Sequence, residues 1–366
     1  MAYLPRGAKA IVNGPKNLVL RRFDKLKPRW LVLMTTDLCN SRCITCNIWQ
    51  NKKLHEPLSP EEIKRVLSDP VMQDIGYIIN TGGEATTRTD LKEVFIAEHE
   101  ALPSATLQLS TNALMPNRAL DTVKCMLDLG VKMDVGVSLD GVGEKHDNIR
   151  GVKGNFKNAD YLLRELLELK KTYGNRLNVG IGTVLIDKTI PNIDEVAAYA
   201  KSIGVNHKVQ WYNATPFYGN SGTSQENERD IIIKIVQALP PSLVNEKWLK
   251  WLKNEPIAFT CFSMYTFFVL KSNGDVAPCL THWNVKAGNV RENTPTEIWK
   301  SVMAKEARKI VKGCKGCLND WGTNWSFSSS HLPYLSYYIK NPSALAKLKP
   351  EEADAIEQSQ KIEAPA

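Results

Sequence analysis

The 366-residue chain has no run of the roughly 20 apolar residues that a bilayer-spanning helix needs. Its opening, Met1-Ala2-Tyr3-Leu4-Pro5-Arg6-Gly7, lacks the continuous apolar stretch of a secretory signal. Internal repeats and low-complexity linkers are absent, so solenoid and tethered-array architectures are excluded. Acids are nearly missing from residues 1–29, where Asp24 stands alone against eight Lys or Arg. No aromatic–basic platform of the kind used for nucleic-acid binding accompanies that run. Scattered cysteines are missing too. The eight present fall mostly into two groups, which reads as metal ligation in a reducing, cytoplasmic compartment rather than a disulfide framework.

A hydrophobic content of 43% is that of an ordinary folded protein. In the basic segment, Val19, Phe23 and Leu26 recur at helical spacing and predict a short amphipathic helix that covers one end of the fold. Peripheral contact with an anionic membrane is the alternative for this segment.

From residue 30 the chain alternates β-rich runs with amphipathic helical stretches. The runs are 30–36, 77–81, 106–110, 133–138, 177–185 and 207–212. Ser59-Pro60-Glu61-Glu62 is a capping box with proline at the first helical position. Further helices start near Asp90 and Asn117, carry Leu162, Leu163 and Leu166, carry Val196 and Ala200, and run near 226–239. Alternation of this kind implies a parallel α/β sheet with helices outside, and ligands at the carboxyl ends of the strands.

The first such end holds Cys39-Asn40-Ser41-Arg42-Cys43-Ile44-Thr45-Cys46. Iron–sulfur clusters normally take four thiolates, so three local ones leave an iron open. A zinc site is the alternative, and it would need a fourth ligand that the neighbourhood does not offer. The segment resembles the signature of the radical S-adenosylmethionine (radical SAM) superfamily. That resemblance implies a 4Fe–4S cluster on Cys39, Cys43 and Cys46, with S-adenosylmethionine on the open iron, and a partial (βα)6 TIM-like barrel over residues 30–240. The aromatic residue common before the last cysteine is Thr45 here, which leaves a backbone contact with adenine. The other strand ends agree. Gly82-Gly83-Glu84 matches the family's methionine-binding turn, with Ala85 in place of the usual proline. Ser110 and Asn112, Ser138 and Asp140, and Arg150 occupy positions that contact the cofactor in the family.

After Pro240-Pro241, Cys261 and Cys279 bracket a hairpin whose turn is Asn273-Gly274, and Cys314-Lys315-Gly316-Cys317 follows a helix near 295–311. With Cys317 the last cysteine, this resembles the twitch form of the SPASM/twitch class. It implies a small α+β domain over 241–320 holding a second, fully ligated 4Fe–4S cluster on Cys261, Cys279, Cys314 and Cys317; zinc is again the alternative. Residues 321–366 read as an aromatic and then polar tail. Cys125 is expected on the outer face of its helix, opposite Leu120, Val123 and Leu127, as an ordinary helix residue.

A cluster with no open iron suits electron transfer. The expected chemistry is therefore hydrogen abstraction from a C–H bond followed by two-electron oxidation of a small, sugar-like metabolite. An electron donor such as flavodoxin or ferredoxin would reduce the first cluster. Trp211, Tyr212, Asn213, His282 and Trp283 are the candidate substrate contacts; no residue identifies itself as the catalytic base. The alternatives are a maturase of ribosomal peptides, disfavoured because only 29 residues precede the first strand; an enzyme acting on a lipid-linked substrate; and a non-catalytic iron–sulfur or zinc scaffold or carrier.

Overall fold

The computed structural model describes residues 6–51, 54–212, 214–220, 229–238, 242–255, 257, 259–314, 326–327 and 329–342. Six strands pair in parallel, each with the next: β1 (Trp30–Thr36), β2 (Tyr77–Gly82), β3 (Thr106–Thr111), β4 (Met133–Ser138), β5 (Leu177–Leu185) and β6 (Asn206–Trp211). Helices α2 (Pro60–Leu67), α3 (Leu91–Ala101), α4 (Pro116–Asp128), α6 (Asn155–Tyr173) and α7 (Ile193–Ile203) connect them, and a short α5 (Glu144–Arg150) precedes α6. Both halves of the Ser59/Glu62 capping box form, and Ile63, Val66 and Leu67 are buried.

Strands β3 to β6 alternate strictly. Leu107, Leu109, Met133, Val135, Val137, Leu177, Val179 and Ile181 pack into the main core with the helices. Gln108, Ser110, Asp134, Gly136, Ser138, Asn178, Gly180 and Gly182 occupy the intervening positions on the other face. In closed (βα)8 barrels the inward positions carry bulky branched residues that fill the interior. Here, on β3 to β6, they are mostly polar or glycine, and the inner face encloses a cavity.

The sheet continues past β1. Strand β7 (Phe267–Leu270) pairs with β1 in parallel, and β8 (Asp275–Ala277) and β9 (Gly288–Asn289) follow antiparallel. The cysteine-bracketed hairpin is thereby hydrogen-bonded to the strand that leads into the first cysteine loop. Beyond it, the single helix expected near 295–311 is two, α10 (Pro295–Lys300) and α11 (Val302–Lys312). Ser301 caps the second by accepting from the Ala304 amide, and its extended ψ of 163° breaks the helical run. The break turns Val302, Met303 and Ile310 to solvent and buries Ala304, Ala307, Arg308 and Val311.

Helix α1 (Arg6–Arg22) forms, but Val19 and Phe23 are exposed. Its inward residues include Asn17, whose amide donates to the Ser329 carbonyl, and Arg21, whose guanidinium donates to the Cys261 carbonyl and lies over Phe262 and Tyr265. It packs along the C-terminal helix α12 (His331–Lys340). Tyr334 and Tyr337 of α12 share a second core with Trp211 of β6 and with α8 (Arg229–Ala238) and α9 (Leu243–Leu252). Cys125 is half-buried against the main core, not on an outer face. Among the described residues, no helix is long and apolar enough to cross a membrane.

Candidate active site

Strand β1 ends at Thr36, and the chain turns at once into Cys39. What holds that turn is the Gly82-Gly83 pair. The Gly83 amide donates to the Thr36 carbonyl and the Glu84 amide to the Leu38 carbonyl, both at 2.8 Å. A Cβ at Gly83 would stand 2.1 Å from the Leu38 oxygen, so only glycine permits this approach. On its other side the cysteine loop lies along the end of α5. The Arg42 amide and the Ser41 hydroxyl both donate to the Arg150 carbonyl, and the Ile44 amide to that of Ile149. Gly151, at φ 67°, gives the room, since a Cβ there would meet the Arg42 oxygen at 2.7 Å.

Cys39, Cys43 and Cys46 line one cavity of about 260 Å³ together with Thr45, Gly82, Gly83, Glu84, Ser110, Asn112, Ser138 and Arg150. Ser41 Oγ lies 3.1 Å from Cys43 Sγ, and Arg150 Nη1 donates to the same sulfur at 3.6 Å. Burial pushes the Cys39 thiol up to about 12 and the Cys46 thiol up to about 11. Thiolates so buried need a cationic core to persist, while Cys43 already has donors aimed at its sulfur. The residues present therefore fit a thiolate-ligated cluster. Among the described residues no three His, Cys, Asp or Glu side chains converge on one metal ion.

Glu84 is buried, and both carboxylate oxygens are engaged: Oε1 accepts from the Thr86 amide and hydroxyl and from the Thr111 hydroxyl, and Oε2 from the Asn112 amide. Burial raises its pKa and these donors oppose the rise. Its side chain ties the ends of β2 and β3 together beneath the cavity. Asp140 is not among the residues lining the cavity. It lies behind Arg150, with Oδ2 2.8 Å from Arg150 Nε, and its Oδ1 accepts from the Val184 amide. Asn112 bridges to Asn40 in the cysteine loop at 2.9 Å.

Below the cysteines the same cavity runs into the barrel lumen, where Tyr77, Gln108, Asp134, Asn178, Lys208 and Gln210 face it. None of these is prominent in the sequence as a motif; the signal that marks them is the alternation along each strand. Tyr77 donates to Asp134 at 2.5 Å, and burial raises the Asp134 pKa against that bond and one from Asn178.

Of the candidate substrate contacts, Trp211 and Tyr212 line the cavity. Trp211 also packs edge-on against Trp248, at 4.8 Å between ring centroids. Asn213 lies outside the described residues. Trp283 faces a neighbouring cavity and meets Phe217 edge-on at 4.9 Å; Phe217 and Tyr218, themselves 4.7 Å apart, line the main one. His282 lines neither of these cavities. Its Nε2 lies 3.6 Å from Cys314 Sγ, and its amide donates to Cys279 Sγ at 3.3 Å. A hydrogen bond with Cys261 and the His282 contact outweigh burial and hold the Cys314 thiol down at about 6. The structure thus groups Cys261, Cys279 and Cys314; Cys317 lies outside the described residues.

A family profile described as the radical SAM superfamily matches residues 33–200, and one described as an iron–sulfur cluster-binding domain, SPASM, matches residues 261–318. The chain is similar to the sporulation killing factor maturation protein SkfB of Bacillus subtilis (strain 168), with 24% identity over 311 residues, 80% of this chain and 70% of that protein. It is 34% identical over 141 residues to the Fe-coproporphyrin III synthase of Methanosarcina barkeri (strain Fusaro / DSM 804), a match to 38% of this chain and 34% of that protein. Among solved structures, Streptococcus suis SuiB bound to precursor peptide SuiA superposes with a TM-score of 0.62 at 17% identity, over 84% of this chain and 76% of that one. At that identity the likeness is one of fold.

Proposed function

Because the chain belongs to the radical SAM superfamily and carries a C-terminal SPASM-type iron–sulfur domain, we propose that it is a maturase that oxidises a residue of a precursor peptide. The enzyme class follows from the family. The peptide is supported by the similarity to the Bacillus maturation protein over most of both chains, and by a shared fold with a protein solved with a precursor peptide bound. It takes the place of the sugar-like metabolite expected from the sequence.

The observation that carries the reading is that one cavity joins the three cysteines and the Gly82-Gly83 turn to a polar lumen hollowed by Gly136, Gly180 and Gly182. Cys39, Cys43 and Cys46 would hold the first cluster, and Cys261, Cys279, Cys314 and Cys317 the second. Bound there, the first cluster and S-adenosylmethionine would supply hydrogen-atom abstraction from a substrate C–H bond. The chain's own residues do the rest. Arg150, fixed by Asp140, and Ser41 hold the Cys43 thiolate. Gly82 and Gly83 let the backbone reach the cofactor, and Gln108, Asn178, Lys208 and Gln210 orient the substrate's polar groups. The second cluster would supply the electron acceptor, reached past the Tyr218, Phe217 and Trp283 rings, and a base would take the proton lost from the atom next to the oxidised carbon. Asp134, whose pKa burial raises and which is therefore the stronger proton acceptor when ionised, is the candidate base.

The test is stimulated formation of 5′-deoxyadenosine by anaerobically reconstituted protein given host-cell extract in separated fractions. Stimulation by the peptide fraction, abolished by protease, is expected. Stimulation by the small-molecule fraction alone would move the assignment to a small metabolite, the class to which the product of the Methanosarcina synthase belongs. No cleavage under any condition would leave only a carrier or scaffold.

A further inference from the structure

His282 was expected to touch substrate, yet it stands between two sulfurs of the second cysteine group. We propose that His282 is a positioning residue for the auxiliary cluster, donating one main-chain and one imidazole hydrogen bond to the sulfurs of Cys279 and Cys314 and thereby raising the cluster's reduction potential. The 3.3 Å and 3.6 Å contacts are both within hydrogen-bonding range for sulfur. They come from one residue because of how the chain is pinned around it. Ser263 Oγ holds the Pro278 carbonyl just before Cys279, and the Val285 amide turns back onto the His282 carbonyl. Next along the chain, the Trp283 ring is fixed between Lys271, whose ammonium lies 4.6 Å from its centroid, and Phe217. With Trp283 committed to that side, the His282 ring is left facing Cys314.

Reduction places added negative charge on the cluster and its thiolates. N–H donors stabilise that state more than the oxidised one, so the potential rises with each bond. A higher potential suits a cluster that takes an electron from a substrate radical. The proposal rests on these cysteines holding a cluster, which iron content tests separately.

The experiment is a potentiometric titration followed by electron paramagnetic resonance on the full chain, reconstituted anaerobically as wild type, His282→Phe and His282→Gln. A Cys39→Ala/Cys43→Ala/Cys46→Ala variant supplies the auxiliary signal alone. His282→Phe should keep about eight irons and make the auxiliary couple harder to reduce by about tenfold in equilibrium constant, 59 mV for one electron. His282→Gln, which keeps a side-chain N–H, should shift it less, and the first cluster's potential should not move in either. An auxiliary midpoint unchanged in His282→Phe overturns the proposal. So does loss of about four irons from both variants, which would make His282 a ligand or a folding element. A wild type with only about four irons would remove the auxiliary cluster, and the proposal with it.

Discussion

Arg150 and Asp140 form a buried ion pair, Nε to Oδ2 2.8 Å, directly behind Cys43. Burial alone would lower the guanidinium pKa; Asp140 and the Cys43 sulfur hold it well above its ordinary value. Such a pair is expensive to break from one side, because the remaining charge stays buried and uncompensated. Asp140→Ala should therefore cost about 3–5 kcal/mol, read as a fall in melting temperature of the reconstituted protein. Arg150→Lys keeps the charge but loses the planar fork. Its expected signature is different, a loss of about 10–100-fold in 5′-deoxyadenosine formation, as for other residues that orient a metal site, with a much smaller loss of stability.

Gly83 makes a sharper prediction, because the obstacle is backbone rather than side chain. A Cβ there meets the Leu38 carbonyl oxygen at 2.1 Å and its carbon at 2.5 Å. Neither strand can retreat without breaking the hydrogen bonds that close the turn. Gly83→Ala should displace the cysteine loop and lose about four irons, those of the first cluster, on reconstitution. Gly143→Ala is the control. Its φ of 61° is unfavourable for alanine, but nothing stands within 4 Å. It should cost about 1–3 kcal/mol and keep its iron.

The barrel was legible in the sequence because each local signal agreed with the global one. Six alternating runs, a capping box and glycine at strand ends all named the same architecture, and the strands lie where those runs fall to within one residue at each end. The cysteine groups were legible because their spacing is chemical rather than conformational. Three things were not. The helix break at Ser301 turns on one serine choosing to cap the next turn, a choice that hydrophobic periodicity does not register. Helix α1 presents Asn17 and Arg21 inward, since its neighbours offer a carbonyl and aromatic faces rather than an apolar groove. Pairing of β7 with β1 links segments more than 230 residues apart, and no short window carries that information.

Glu98 on α3 gives a prediction in pH. It is fully buried and bonded to Asn80 at 3.0 Å, and burial pushes its pKa up to about 8, against a bond from Asn80 and the charge of Arg88. The folded state therefore binds a proton that the unfolded chain releases near pH 4.3. Stability from this group is complete below that value and falls as the pH rises to about 8, after which it is flat. Glu98→Gln keeps an oxygen for the Asn80 amide and removes the charge. It should melt close to wild type at pH 5 and above it at pH 8, by a difference on the order of a few kcal/mol. Equal shifts at both values would mean that Glu98 is ionised in the folded protein.

The lumen provides the test that separates substrate placement from cofactor chemistry. Gly180 lies on the cavity wall, at an inward-facing position of β5. A larger side chain there would fill cavity space. Gly180→Leu should keep its iron and melt within a few degrees of wild type, about 1 kcal/mol, because strand geometry tolerates a branched residue. Its response to substrate should differ, with stimulated 5′-deoxyadenosine formation reduced about tenfold or more, a loss of about 1.4 kcal/mol of transition-state stabilisation. Lys208→Met removes a charge from the same wall at nearly constant length. If Lys208 orients a polar group, this variant should raise KM more than it lowers kcat, whereas Gly180→Leu should damage both. Undiminished stimulation in both variants would place the substrate above the lumen, between the cysteine loop and Tyr218, and would remove Asp134 from reach as the base.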